Sequence, residues 1–192
     1  MGAFFESAYG GVPPWDIGRP QREFVRLESA GEVRGRVLDV GCGTGENALY
    51  FASKGHEVTG VDAAPTAIRK AKAKARDRKI KATFVVQDAL DLDGLGRTFD
   101  AVTDSGLFHV FDDADRVAFA RSLLAVVAGR GRYYMMCFSE REPGDWGPRR
   151  VTPAEIRGTF RTGWRVEWIR EATFETNDSR EVQAWLSRIV RE

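Results

Sequence analysis

The chain has 192 residues, 43% of them hydrophobic and 30% charged, a balance that excludes a wholly disordered or collagen-like polymer and fits a single domain. Lys and Arg number 29 against 28 Asp and Glu, so a net charge of +1 lacks the basic excess on which phosphate-backbone binders depend. Cys42 and Cys137 are too few for a disulfide framework and sit in apolar runs, which reads as free thiols of a reducing, cytoplasmic compartment.

Residues 1–19 are rich in Gly, Pro and aromatics without a period and read as an irregular leading segment. They carry no basic leader followed by a long apolar stretch, so a signal peptide is not expected, and no run nears the ~18 apolar residues of a membrane span. Phe24, Val25 and Leu27 give Gln21–Ala30 a short apolar helical face. Arg36–Val40 reads as a buried strand, the glycine turn Gly41–Gly45 follows, and Glu46–Lys54 reads as a helix stopped by Gly55. A strand is expected over Glu57–Val61, then a helix opened by Pro65 with Ala67, Ile68, Ala71 and Ala75 inward and a solvated Lys/Arg face. Ala82–Val86 and Phe99–Val102 read as strands, Asp112–Ala128 as a helix with aspartates at its start, and Tyr133–Phe138 as a fifth strand. Thr152 and Glu155 form a capping-box pattern, and Arg165–Ile169 and Val182–Val190 read as a closing antiparallel hairpin. Strands alternating with helices indicate a doubly wound α/β fold, whose ligands lie beyond the carboxyl ends of the strands.

The glycine turn is the strongest signal. Gly41, Gly43 and Gly45 let the backbone turn sharply and approach a ligand where a Cβ would intrude. The pattern is GxGxG rather than the dinucleotide GxGxxG, and Asp39 precedes it. A carboxylate repels a diphosphate and attracts an ammonium or sulfonium, which points to S-adenosylmethionine (SAM) over a nicotinamide dinucleotide. Asp62 ends the second strand about 20 residues beyond Gly41, the place from which an acidic residue accepts ribose hydroxyls. Asp88, after the third strand, is placed to meet the adenine amino group, with the Ala89 backbone beside the ring.

The stretches LDVGCGTGENALYFASKGHEVTGVD (38–62), VVQDAL (85–90) and FDAVTDSGLFHV (99–110) resemble successive motifs of the class I SAM-dependent methyltransferases. The resemblance implies a Rossmann-like sheet of seven strands, mostly parallel with an antiparallel C-terminal strand, and a reaction that leaves S-adenosylhomocysteine as product. It puts Asp39, Gly41, Cys42 and Gly43 at the methionine end, Asp62 and Ala63 at the ribose, and Asp88 and Ala89 at adenine, with Gly45 and Asn47 also in the cofactor set. Asp104 and Ser105 would lie closest to the transferable methyl. The segment PWDIGRPQ (14–21) is similar to the N-terminal lid of the thiopurine, thiol/halide and heterocyclic-toxin methyltransferases, and EPGDWGP (142–148) to a loop beside their acceptor pocket. One domain over 1–192 is implied, with 1–30 as lid segment and helix and 31–192 as the SAM-binding core.

Trp15 and Trp146 are rigid and amphipathic, suited to walling a pocket for a flat acceptor; Trp15 also joins the cofactor set. Phe108 and His109 follow the fourth strand, and His109 has the near-neutral chemistry of a general base, with Ser105 beside it. His56 reads as a surface residue. Asp112, Asp113 and Asp115 invite a metal reading but serve a helix start, so no metal is expected. Base-flipping methyltransferases carry an (Asp/Asn/Ser)-Pro-Pro-aromatic signature after the fourth strand, whereas Asp104-Ser105-Gly106-Leu107 stands here. The expected partner is a small-molecule acceptor, without nucleic acid or membrane, in a monomer or homodimer. Methylation at O or N of a small aromatic heterocycle is the leading expectation. Thiol or halide methylation on the same scaffold and a non-catalytic SAM-binding protein are the rivals.

Overall fold

A computed structural model describes residues 2–192. Its seven strands are β1 (Arg36–Val40), β2 (Glu57–Asp62), β3 (Thr83–Val86), β4 (Phe99–Ser105), β5 (Val127–Phe138), β6 (Trp164–Glu175) and β7 (Glu181–Arg191). They form one sheet in the order β3-β2-β1-β4-β5-β7-β6. β1 pairs in parallel with both β2 and β4, while β7 runs antiparallel to β5 and β6. Six helices accompany the sheet: α1 (Gly2–Ala8), α2 (Arg22–Ser29), α3 (Glu46–Ser53), α4 (Pro65–Asp77), α5 (Asp113–Val126) and α6 (Pro153–Thr159). No helix among the described residues is long and apolar enough to cross a membrane.

The central strands are apolar on both sides because helices cover both faces of the sheet. Along β5, Tyr133, Met135 and Cys137 enter one core with Leu38, Phe119 and Phe160. Tyr134, Met136 and Phe138 enter the other with Phe24, Phe51 and Ile68. The inward face of α4 is Ala67, Ile68, Ala71 and Ala75, as its spacing requires. Thr152 and Glu155 close their capping box at α6.

Two expectations change. Residues 1–19 are not wholly irregular: Gly2–Ala8 is helical, and Phe5 and Tyr9 pack on Ala64 and Ala67. A helix this short shows no period, so tertiary packing decides it. β5 also starts six residues earlier than Tyr133, because Ala128–Gly131 loops out between two β4 pairings, Phe99 with Val127 and Ala101 with Arg132. Strand order reverses between β1 and β4, so the loops after β1, β2, β3 and β4 face one crevice.

Candidate functional site

The turn from β1 into α3 runs through left-handed glycines, with φ of 67° at Gly41, 54° at Gly43 and 87° at Gly45. A Cβ at Gly43 would stand 2.7 Å from the Tyr9 hydroxyl, so only glycine serves there. Asp39 lies under this turn, 2% exposed; its Oδ1 accepts from Thr103 Oγ1 at 2.8 Å, and Oδ2 has no partner among the described residues. Burial pushes the Asp39 carboxyl up to about 7, the Thr103 bond opposing and the Asp104 charge adding to it. Asp62 accepts from Gly43 N at 2.9 Å and Ala64 N at 2.8 Å, and burial raises its pKa as well. Asp88 Oδ1 accepts from Leu90 N at 2.9 Å and shapes the turn after β3. A concentration of carboxylates with one buried oxygen unpaired is hostile to a diphosphate and complementary to a cation.

These loops line one end of a cavity of about 610 Å³. The segment before α2 roofs it. Trp15 Nε1 donates to the Tyr9 hydroxyl at 3.1 Å, and Phe5 meets the Trp15 ring edge-on at 5.9 Å. The roof is anchored on two sides. On the sheet's glycine side, Thr44 Oγ1 donates to Asp16 Oδ1 at 2.9 Å, and Lys70 Nζ to the Gly11 carbonyl at 2.9 Å. On the hairpin side, Arg19 makes two 3.0 Å bonds to Glu175, and Asn177 donates to the carbonyls of Pro13 and Pro14.

The far end of the cavity is aromatic. His109 and Phe138 meet at 5.0 Å and 82°, Phe138 and Phe174 at 5.6 Å, and Phe138 and Trp146 at 5.7 Å. His109 Nδ1 accepts the backbone N–H of Phe138 at 3.0 Å, which places the ring proton on Nε2. Burial, then the charges of Arg116 and Arg150, lower its pKa to about 3. A neutral ring with its proton on Nε2 is a hydrogen-bond donor toward the cavity it lines. The depressed value also has a stability consequence. The unfolded ring takes up a proton near pH 6.5 and the folded one does not, so stability falls as pH drops through that point. This ring alone should cost about 2 kcal/mol between pH 7 and pH 5. Denaturant unfolding of His109→Gln should lack that component; an unchanged pH dependence would refute the buried neutral state.

Gly41, Cys42, Gly43, Gly45, Asn47, Asp62, Ala63, Asp88, Ala89, Trp15, Ser105, His109 and Trp146 all line the cavity. Asn47 does so while its Oδ1 accepts from Gln21 N at 2.9 Å, so it also fastens the roof. Asp39 is behind the wall rather than on it. Asp104 is wholly buried and off the cavity: it accepts from Leu107 N at 2.7 Å, Phe108 N at 3.0 Å and the Tyr133 hydroxyl at 2.8 Å. β4 runs on to Ser105, so Asp104 points into the core and latches the turn that carries His109. Phe108 likewise turns away from the cavity, against Phe160 at 5.7 Å and under the Arg116 guanidinium at 4.6 Å. Phe138, Phe174, Tyr9 and Arg180 line the cavity and were missed. Phe138 had a signal, since it ends an apolar strand on the ligand side of the sheet; Phe174, near the end of the charged β6, and Arg180 had none. Among the described residues no His, Cys, Asp or Glu cluster is placed to hold a metal, and Asp112 caps α5 by accepting from Asp115 N at 2.8 Å.

A family model described as "Methyltransferase domain" matches residues 37–131. The chain is 37% identical over 184 residues to the 2-heptyl-1-hydroxyquinolin-4(1H)-one methyltransferase of Mycobacteroides abscessus, covering 90% of this chain and 81% of that one. A solved structure described as "Conversion of a Disulfide Bond into a Thioacetal Group during Echinomycin Biosynthesis" superposes with a TM-score of 0.93 at 37% identity, covering 100% of this chain and 93% of the other. The magnesium protoporphyrin IX methyltransferase of Synechocystis PCC 6803, with bound SAM, shares the fold at a TM-score of 0.69 and 21% identity, over 88% of this chain and 76% of its own.

Proposed function

Since the chain belongs to the class I SAM-dependent methyltransferases and acts on small molecules, we propose that it methylates the oxygen or nitrogen of a small aromatic heterocycle. The carrying observation is the box of His109, Phe138, Trp146 and Phe174 facing the glycine loop across one cavity. Flat rings stack and pack edge-on in such a box, which selects for aromatic acceptors.

The residues present fit the cofactor. The unpaired buried oxygen of Asp39 and the turn with Cβ-free positions at Gly41, Gly43 and Gly45 around Cys42 suit the methionine portion, with its positive charge. Asp62 and Ala63 are assigned to the ribose, and Asp88 and Ala89 to the adenine. Bound SAM supplies a methyl group activated on a sulfonium. Holding reactants in line and excluding water is then the protein's main task. The roof formed by residues 4–21 serves as the lid in this reading, with Trp15 and Tyr9 pressed toward the glycine loop. Residues 31–192 form the core that binds the cofactor, and Ser105 and the Nε2–H of His109 face the acceptor.

The two 37% relatives differ in their described chemistry, one named for a hydroxyquinolinone and the other for a disulfide converted to a thioacetal. An acceptor panel separates these directions: phenols, hydroxylated nitrogen heterocycles, ring N–H compounds, thiols and iodide, each with SAM. Hydroxylated heterocycles should show kcat/KM at least about tenfold above thiols and iodide, a gap of about 1.4 kcal/mol in transition-state binding. Preference for thiols or iodide would replace this reading with sulfur or halide methylation. Tight SAM binding without transfer to any acceptor would leave a non-catalytic SAM-binding protein.

A further inference from the structure

Guanidinium groups gather around the acceptor end of the cavity, Arg180 on its wall and Arg150 behind the Phe138 and Trp146 rings. Arg150 gives its guanidinium protons to three backbone carbonyls, Glu142 at 3.3 Å, Pro148 at 2.9 Å and Gly144 at 3.3 Å, and no salt bridge engages it among the described residues. Its guanidinium carbon lies 5.2 Å above the Phe138 ring and 5.5 Å from Trp146. Arg180 covers Trp146 at 4.6 Å from the other arm and shares its charge with Asp178 at 2.7 Å. Arg116, 2% exposed on α5, has Glu155 at 3.2 Å but leaves Nε and Nη2 unpaired. Of the nearby carboxylates, Glu175 is paired with Arg19 and accepts the Arg22 N–H, while Glu142 and Glu140 accept from the neutral Gln183 N and Trp185 indole and stand off the cavity wall. Asp115 lines the cavity and has no cationic partner among the described residues.

Resting on the aromatic-acceptor reading, we propose that the acceptor is bound and methylated as an anion, met by the Nε2–H of His109 and the Arg180 guanidinium on the cavity wall and favoured at longer range by Arg150 behind the Phe138 and Trp146 rings, with no protein group acting as base. The substrates are then acids of the heteroaromatic hydroxyl or acidic ring N–H class, which shed their proton to solvent before the lid closes. The anion's lone pair forms the new bond to the methyl carbon while the carbon–sulfur bond breaks, its electron pair going to sulfur. No proton remains to be removed. The Arg116 and Arg150 charges, which add to burial in keeping His109 neutral, also favour a negative ring beside it. Charge of opposite sign is thereby brought together in a site shielded from water, where it is least screened.

The test uses 4-nitrophenol, whose phenolate absorbs visible light and whose phenol does not, titrated on the protein saturated with S-adenosylhomocysteine. The bound probe should ionise at least about one pH unit lower than the free probe, a tenfold preference for the phenolate. In Arg150→Met that preference should shrink at least about threefold; should this variant fail to fold, the wild-type titration decides alone. A midpoint unchanged or raised overturns the proposal. So does a tenfold loss of turnover in Asp115→Asn with retained probe ionisation, which would name that carboxylate as base. If no phenol or hydroxylated heterocycle binds while thiols are methylated, the aromatic-acceptor reading itself fails; binding of the neutral phenol sinks only the anion.

Discussion

Asp62→Ala should weaken S-adenosylhomocysteine binding by about a hundredfold or more and lower the stability of the free protein by about 1–3 kcal/mol. Both effects follow from one carboxylate. Its oxygens accept from Gly43 N at 2.9 Å and Ala64 N at 2.8 Å, tying the glycine turn to the entry of α4. Each oxygen keeps a further lone pair, and the residue lines the cavity where the ribose is assigned. Alanine removes the assigned ribose acceptor and also orphans two partly buried N–H groups, so the loop loosens as the contact disappears. Asp62→Asn keeps one oxygen and should fall between the two in both measurements. Calorimetric titration and thermal unfolding check them together. Affinity unchanged in Asp62→Ala would dismiss the ribose assignment, whatever the fate of stability.

What was legible in the chain, and what was not, divides along the range of the interactions. The inner face of α4, the Thr152 capping box and the Gly41–Gly45 turn depend on neighbours a few residues away, and their spacing shows them. α1 exists through contacts of Phe5 and Tyr9 with Ala64 and Ala67, more than fifty residues distant, so no local pattern announces it. Asp104 shows the limit in the site. A carboxylate near the end of β4 looks like a cofactor ligand, yet strand alternation turns it inward to three donors. His109 shows another: its residue type suggests a base, and the Phe138 N–H behind it makes a donor. The aromatic box needed β5, β6 and the 139–150 loop folded together before Phe138, Phe174 and Trp146 became neighbours.

Opening the lid should cost far more activity than stability, and Glu175 is the place to do it. This residue, at the end of β6, accepts both Arg19 bonds at 3.0 Å and the Arg22 backbone N–H at 3.0 Å. Its main chain exchanges two further bonds with the Gln21 side chain, at 2.9 Å and 3.0 Å. The Arg19 side chain is 56% exposed, so the pair adds little to global stability, and loss of Glu175 should move Tm by only a few degrees. Catalysis is more demanding, because a small loss of alignment or an admitted water can cost about a hundredfold in rate. Glu175→Ala should therefore lower kcat/KM by about that factor and speed amide exchange across residues 4–20, while exchange in β1 and β4 stays as in the parent. Glu175→Gln, which keeps an acceptor for Arg22 N, should recover part of the rate. Slow exchange in the segment alongside a lost rate would trace the defect to the cavity wall. A rate unchanged beside fast exchange would mean that the roof over the cavity does not gate the reaction.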